Sequence, residues 1–176
     1  NRTYTRAHYL DLVQRIKDRI PGVALSTDII AGFPTETEED HRETMSLLEE
    51  VRFDGAFMFK YSPRENTRAW KMGDDVPDEV KGRRLEEIIN LQRRISYEIN
   101  QKMIGRVERI LLEGPSKRSD EEWMGRTDAN KSVIVPKAEY VVGDYADVRI
   151  VSATSATLFG RAASEAATDE VVTEAA

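Results

Sequence analysis

Hydrophobic positions follow two rhythms along this chain, a helical one in its first part and a strand-like one towards its end. Tyr9, Val13, Ile16 and Ile20 recur at helical spacing behind Thr5 and ahead of Pro21-Gly22, so a helix capped by Thr5 is predicted from Arg6 to Ile20. Val23 to Ala31 is short and mostly apolar, bounded by Pro21-Gly22 and Gly32-Phe33-Pro34, which predicts a strand buried on both faces. Thr37 with Asp40 has the form of a capping box, and Met45, Leu48 and Val51 give the next helix its buried stripe. Phe53 to Tyr61 reads as a second strand. Strand, helix and strand in this length predict a right-handed parallel crossover, one unit of an α/β layer.

Beyond a loop from 62 to 77, Asp78 is expected to cap a long helix. Its Ile88, Leu91, Ile95 and Ile99 share one side, with charges on the other, and it stops before Gly105. From Arg106 the pattern becomes strand-like. The runs 106–113, 132–136, 145–153 and 156–161 alternate with turns such as Glu113-Gly114-Pro115 and Val142-Gly143-Asp144, predicting a small antiparallel barrel. Val133 and Phe159 are assigned to its core. The stretch 162–176 carries four acids and no base among Ala and Thr, and reads as a disordered acidic tail.

A parallel unit with two strands leaves backbone groups unpaired on both edges. The remaining strands are expected upstream of Asn1, in another chain, or nowhere, in which case the first domain is expected to be only marginally stable, and a first residue other than Met fits a processed or truncated sequence.

Composition narrows the chemistry. With 40% hydrophobic residues among 176, the chain can bury a core. Its net charge of −6 repels nucleic acid at long range, so RNA binding requires a local patch. No apolar stretch approaches the roughly 20 residues that span a bilayer, and no signal peptide opens the chain, which points to a cytoplasmic protein with no membrane partner. Cysteine is absent, so disulfides and thiolate-held metals or iron-sulfur clusters are excluded for this chain. His8 and His41 are isolated, lie within the helices as surface or packing residues, and make a zinc site unexpected.

Four segments together carry a family resemblance: NRTYTR at 1–6, STDIIAGFPTET at 26–37, YSPR at 61–64 and EGPSKRSDEEWMGRTDANKSVIVP at 113–136. Their order and spacing resemble the radical S-adenosylmethionine (SAM) methylthiotransferases that modify tRNA, over residues 1 to about 161. The resemblance implies the C-terminal portion of a radical-SAM partial (β/α) barrel over 1–103, and a small antiparallel β-barrel named TRAM, which binds RNA, over 104–161. In two places this chain departs from the family's usual pattern. Thr35 stands where Gly usually follows the GFP loop, and Glu65-Asn66-Thr67 follows YSPR where Pro-Gly-Thr is usual.

Such a family replaces an aromatic C–H hydrogen by sulfur. That position offers neither an acidic proton nor a leaving group, so a radical is needed. The resemblance implies SAM and two 4Fe-4S clusters, each held by three cysteines in the parent protein. This chain has none of those ligands and is expected to be inactive alone, with no catalytic residue and no metal site. The implied partner is the tRNA anticodon stem-loop, and the implied state is a monomer.

Candidate site residues follow from position. Gly32 allows backbone approach and Phe33 offers an apolar face, so the resemblance implies contact with the adenine side of SAM. Ser26 and Asp28 sit two apart on one strand face and join them as cofactor candidates. Glu36 is expected to favour the positive end of the following helix, and Pro34 to shape the turn. Arg64 and Arg68 follow the second strand, where a cation meets a carboxylate or an RNA phosphate. Lys117, Arg118, Arg126 and Lys131 are interleaved with Trp123 and Asn130, a mixture suited to phosphate contacts and base stacking. Nine bases and nine acids between 104 and 161 mean that the fold must separate the signs for RNA to bind.

The leading expectation is a tRNA methylthiotransferase acting on carbon 2 of isopentenyladenosine beside the anticodon. The segment GRTDANKSV and the YSPR loop disfavour the sister enzyme that modifies a ribosomal-protein aspartate. The threonylcarbamoyl-adenosine methylthiotransferase shares the YSPR-like loop and stays open. A reading of another class is a non-enzymatic RNA-binding module, in which the α/β part only supports the barrel.

Overall fold

The computed structural model describes residues 4–137 and 140–163, and divides the chain into two compact units, Asn1–Ser96 and Tyr97–Ala176. In the first unit, helix α1 (Arg6–Arg19) is capped by Thr5, whose hydroxyl accepts from the His8 N–H. Only Val13 of its apolar stripe is buried, and Ile20 lies 54% exposed beyond the helix end. Strand β1 (Ser26–Ala31) leads through the Gly-Phe-Pro loop into α2 (Glu38–Val51). The expected capping box is formed, with Thr37 and Asp40 each accepting from the other's backbone. Leu48 and Val51 are fully buried beneath it.

Strand β2 (Gly55–Lys60) pairs with β1 in parallel, setting Asp28 beside Phe57 and Ile30 beside Phe59. The expectation that β1 is covered on both faces is wrong. Thr27, Ile29 and Ala31 turn inwards, whereas Ser26, Asp28 and Ile30 share an exposed face with Phe57 and Phe59. Ile30 makes the run continuously apolar in sequence, but it lies on the face of the sheet that is left exposed.

The loop after β2 contains a short helix, α3 (Arg68–Met72), not anticipated from the sequence, with Thr67 as its cap. Helix α4 (Asp78–Gln101) buries Ile88, Leu91 and Ile95 as expected. Asp78 is not its cap; it lies in the first turn and pairs with Lys60 Nζ at 2.7 Å. Nor are the charges confined to the far side, since Lys81 and Arg84 are 3% and 4% exposed. Gln92 Nε2 donates to the Phe53 carbonyl and Ser96 Oγ to the Asp54 carbonyl, tying the helix to the entry of β2.

The second unit is a closed barrel of β3 (Val107–Pro115), β4 (Glu122–Thr127), β5 (Ser132–Pro136), β6 (Tyr145–Ala153) and β7 (Thr157–Ala162), in the order β3-β4-β5-β7-β6. Strand β4 was missed. Its inward positions are Trp123, Gly125 and Thr127, so the aliphatic alternation that marks a strand is absent. The barrel is also not wholly antiparallel, because β5 and β7 run parallel, the link between them passing through β6.

Its core gathers Ile110, Leu112, Val133, Val135, Val148, Ile150 and Leu158 with Met103 and Ala146. Leu158, not Phe159, points into it; Phe159 alternates to the half-buried outer side. The last turn of α4 belongs to this unit. Asn100 Nδ2 donates to the Thr154 carbonyl and Gln101 Nε2 to that of Ala153. Ala162 is buried at the end of β7, and the assigned tail lies outside the described residues from 164 on.

Candidate nucleotide-facing loops and barrel surface

Both loops of the first unit that carry candidate residues leave the carboxyl ends of β1 and β2. Gly32 has φ 76°, and an added Cβ would lie 2.2 Å from Lys81 Cγ, so the side chain of Lys81 occupies the space above the glycine. The Gly32 N–H is held by both oxygens of Glu36 at 3.1 Å. Glu36 therefore bridges the loop, and Arg84 Nη1 meets both its carbonyl and its carboxylate, at 3.0 and 2.9 Å. Phe33 is 40% exposed and stands edge-on to Tyr61, ring centres 5.4 Å apart. The Lys81 ammonium lies 5.3 Å from the Tyr61 ring centre and pairs with Asp74.

The Gly-Phe-Pro loop is thus braced from behind by α4. Arg83 and Arg84 share Glu38, whose pKa is lowered to about 2, chiefly by the hydrogen bond from Arg83 and then by that from Arg84. Arg83 also bonds Glu87, and with His41 it holds that carboxyl below its ordinary value. His41 is buried, its Nε2 lying 2.6 Å from Glu87. Lys81 and Arg84 were missed as loop-bracing residues. Their signal was the 3–4 spacing that runs 81, 84, 88, 91, 95, which continues the buried stripe of α4 upstream onto two cations.

In front of this bracing, Ser26 and Asp28 are exposed on the open face of the sheet, in register with Gly55 and Phe57. With Ile30, Phe57 and Phe59, 52%, 66% and 53% exposed, they form an apolar surface edged by a hydroxyl and a carboxylate. A nucleoside presents matching chemistry, a flat apolar base and a hydroxyl-bearing sugar. Arg64 and Arg68 are exposed beyond β2, with Arg68 opening α3. Among the described residues no cluster of His, Cys, Asp or Glu offers a metal three ligands. An iron-sulfur cluster does not fit this chain, which lacks any thiolate to hold it.

In the barrel, Lys117 and Arg118 are exposed on the β3–β4 loop. The other candidates of this segment are engaged within the unit. Arg126 bonds Glu113 through Nε at 3.2 Å and Asn130 Oδ1 through Nη1 at 3.1 Å; Lys131 Nζ donates to Asn100 Oδ1 at 3.0 Å. Trp123 packs against the core, its indole N–H is buried without a partner, and Lys137 lies 4.6 Å from its ring centre.

Residues 101–163 match the TRAM domain family. Over most of its length the chain is similar to proteins named tRNA-2-methylthio-N(6)-dimethylallyladenosine synthase. That of Chloroherpeton thalassium is 53% identical over 163 residues, 92% of this chain and 36% of the relative. Those of Bacteroides fragilis and Porphyromonas gingivalis are 52% and 54% identical, over 91% and 90% of this chain and 35% of each relative. The chain spans about a third of the length of the curated relatives it matches.

Proposed function

This chain is a TRAM-bearing relative of the tRNA-2-methylthio-N(6)-dimethylallyladenosine synthases, and on that footing we propose that it forms part of a radical-SAM tRNA methylthiotransferase. The single observation that carries the reading is the identity above half across nine-tenths of the chain, which takes in both units. The reaction proposed for the whole protein, in the cytoplasm, adds a methylthio group to carbon 2 of isopentenyladenosine beside the anticodon of tRNA. The names of the relatives favour this substrate over the aspartate and threonylcarbamoyl-adenosine alternatives.

Within that protein, residues 1–103 are read as part of the partial barrel and of the SAM wall. Ser26 and Asp28 would hold polar groups of the cofactor, while Phe33, Phe57 and Phe59 would meet its apolar surface. Bound SAM supplies the radical precursor and the methyl group. What this chain contributes is shape: Lys81, Arg84 and Glu36 fix the Gly-Phe-Pro loop before any ligand arrives, so little ordering remains to be done on binding. Both iron-sulfur clusters require thiolates from sequence outside this chain, and alone it is proposed to be inactive. The barrel is proposed to hold the anticodon stem-loop, the protein acting as a monomer.

The test is direct RNA binding. Titrated with an unmodified anticodon stem-loop in low salt, the chain is expected to bind, and to lose affinity steeply as salt rises, by about 0.7 to 0.9 in log–log slope for each phosphate contacted. Absence of binding at low salt would remove the RNA role from the barrel.

A further inference from the structure

The outer surface of β3, β6 and β7 brings together three arginines that the linear sequence disperses. Outward positions alternate along each strand, and the register sets Leu111 opposite Tyr145, Arg109 opposite Asp147, and Arg149 between Val107 and Arg161. Arg109, Arg149 and Arg161 thus share this surface with Asp147, and Glu113 further along β3 is paired with Arg126, in a chain whose net charge is −6. The acids that cancel Lys117, Arg118 and Arg126 in the linear count, Asp120, Glu121, Glu122 and Asp128, lie on other elements.

Two details distinguish this surface from an ordinary solvated face. Arg149 and Arg161 are register partners, which sets two guanidinium-bearing side chains next to each other across the strand pair. Arg149 Nη1 reaches the Gly105 carbonyl at 3.0 Å, while its Nε is shielded from solvent without an acceptor. Secondly, the Arg109 guanidinium lies 4.5 Å from the Tyr145 ring centre, and Tyr145 is still 58% exposed. A solvent-facing aromatic ring beside a guanidinium is a stacking platform for a base, and adjacent arginines offer charge-assisted donors to phosphate. Tyr145 and Arg149 are four residues apart on one strand, about 13 Å at about 3.3 Å per residue. That is the rise of about four stacked nucleotides.

We propose that the outer face of β3, β6 and β7 is a track for single-stranded RNA, Tyr145 stacking an unpaired base beside Arg109 while Arg149 and Arg161 grip the backbone. The proposal rests on the RNA-binding reading of the barrel and moves its main contact away from the 117–131 segment. An acidic peptide would satisfy the arginines but leave the tyrosine without a flat partner, so RNA is the better fit.

Fluorescence anisotropy on the full chain tests it, with a labelled RNA stem-loop as probe and a fully paired RNA duplex and polyglutamate as competitors. Arg149→Ala with Arg161→Ala is expected to weaken binding at least about tenfold and to lower the salt slope by about two. Tyr145→Ala is expected to weaken it about tenfold at unchanged slope, with Tyr145→Phe retaining affinity. Arg149 is half-buried, so Arg161→Glu, at an exposed position, gives a second reading that does not depend on the packing of Arg149. A parent chain that binds no RNA at low salt overturns both this track and the RNA-binding role of the barrel. A parent chain that binds, while Arg161→Glu and Tyr145→Ala bind equally well, overturns the track alone. So does tighter binding of polyglutamate or of the paired duplex than of the stem-loop.

Discussion

Thr35 holds a left-handed backbone, φ 71°, that a β-branched side chain opposes. Its N–H is fixed by Asp75 Oδ1 at 2.8 Å, and the turn is closed by the Glu36 N–H donating to the Phe33 carbonyl. Asn66, φ 65°, is in the same region, where asparagine is better tolerated. Both residues stand where the related family usually has glycine, and both keep a backbone that glycine favours. Thr35→Gly is expected to relieve strain and stabilise the first unit by roughly 1 kcal/mol, partly offset by the greater freedom of glycine in the unfolded chain. Urea denaturation measures the change, and a less stable variant would mean that the threonine is not strained. The loop itself was legible as Gly-Phe-Pro after an apolar run. Its bracing by Lys81 and Arg84 was not, since cations on a helix are usually solvated and only the packed partner shows otherwise.

Among the elements, the barrel depends on close approach between β6 and β7. A Cβ on Gly160 would lie 2.1 Å from Val148 Cγ1 and 3.0 Å from the Arg149 carbonyl oxygen. Gly160→Ala is therefore expected to push the strands apart and to destabilise the barrel by about 1–3 kcal/mol, the range for an overpacked core. Near-ultraviolet circular dichroism during denaturation checks it; stability equal to the parent would show that the barrel widens freely. The caps at Thr5 and Thr37 were readable because a cap is a local hydrogen bond between residues three apart. Strand β4 was not, because Gly125 and Thr127 answer to neighbouring strands and leave no period of their own. The parallel pairing of β5 with β7 was hidden for the same reason, being a contact between strands distant in sequence.

At the scale of the whole molecule, four carboxyls of Asn1–Ser96 are held below their ordinary values. Glu38 is lowered by Arg83 and Arg84, Asp40 by the Thr37 side chain and backbone, Asp78 by Lys60, and Glu87 by Arg83 and His41. A carboxyl whose folded pKa is depressed stabilises the fold above its unfolded pKa and loses that contribution as pH falls through the folded value. For Glu38 the window runs from 4.5 down to about 2. The first unit is accordingly expected to lose stability over this range. Hydrogen exchange localised to the first unit measures this, and unchanged protection as pH falls through the range would contradict it.

What the sequence determined by itself is local or compositional. Helix stripes, caps, the Gly-Phe-Pro turn and the missing thiolates need no partner to be read, because each rests on neighbours within a few residues or on a residue type being absent. Tertiary structure alone decided which charges face which way. It put Lys81 and Arg84 beneath a loop, left one face of β1 and β2 open, and brought Arg109, Tyr145, Arg149 and Arg161 onto one surface. Strand register and barrel closure set those neighbours, and both are fixed by contacts between segments far apart in the chain.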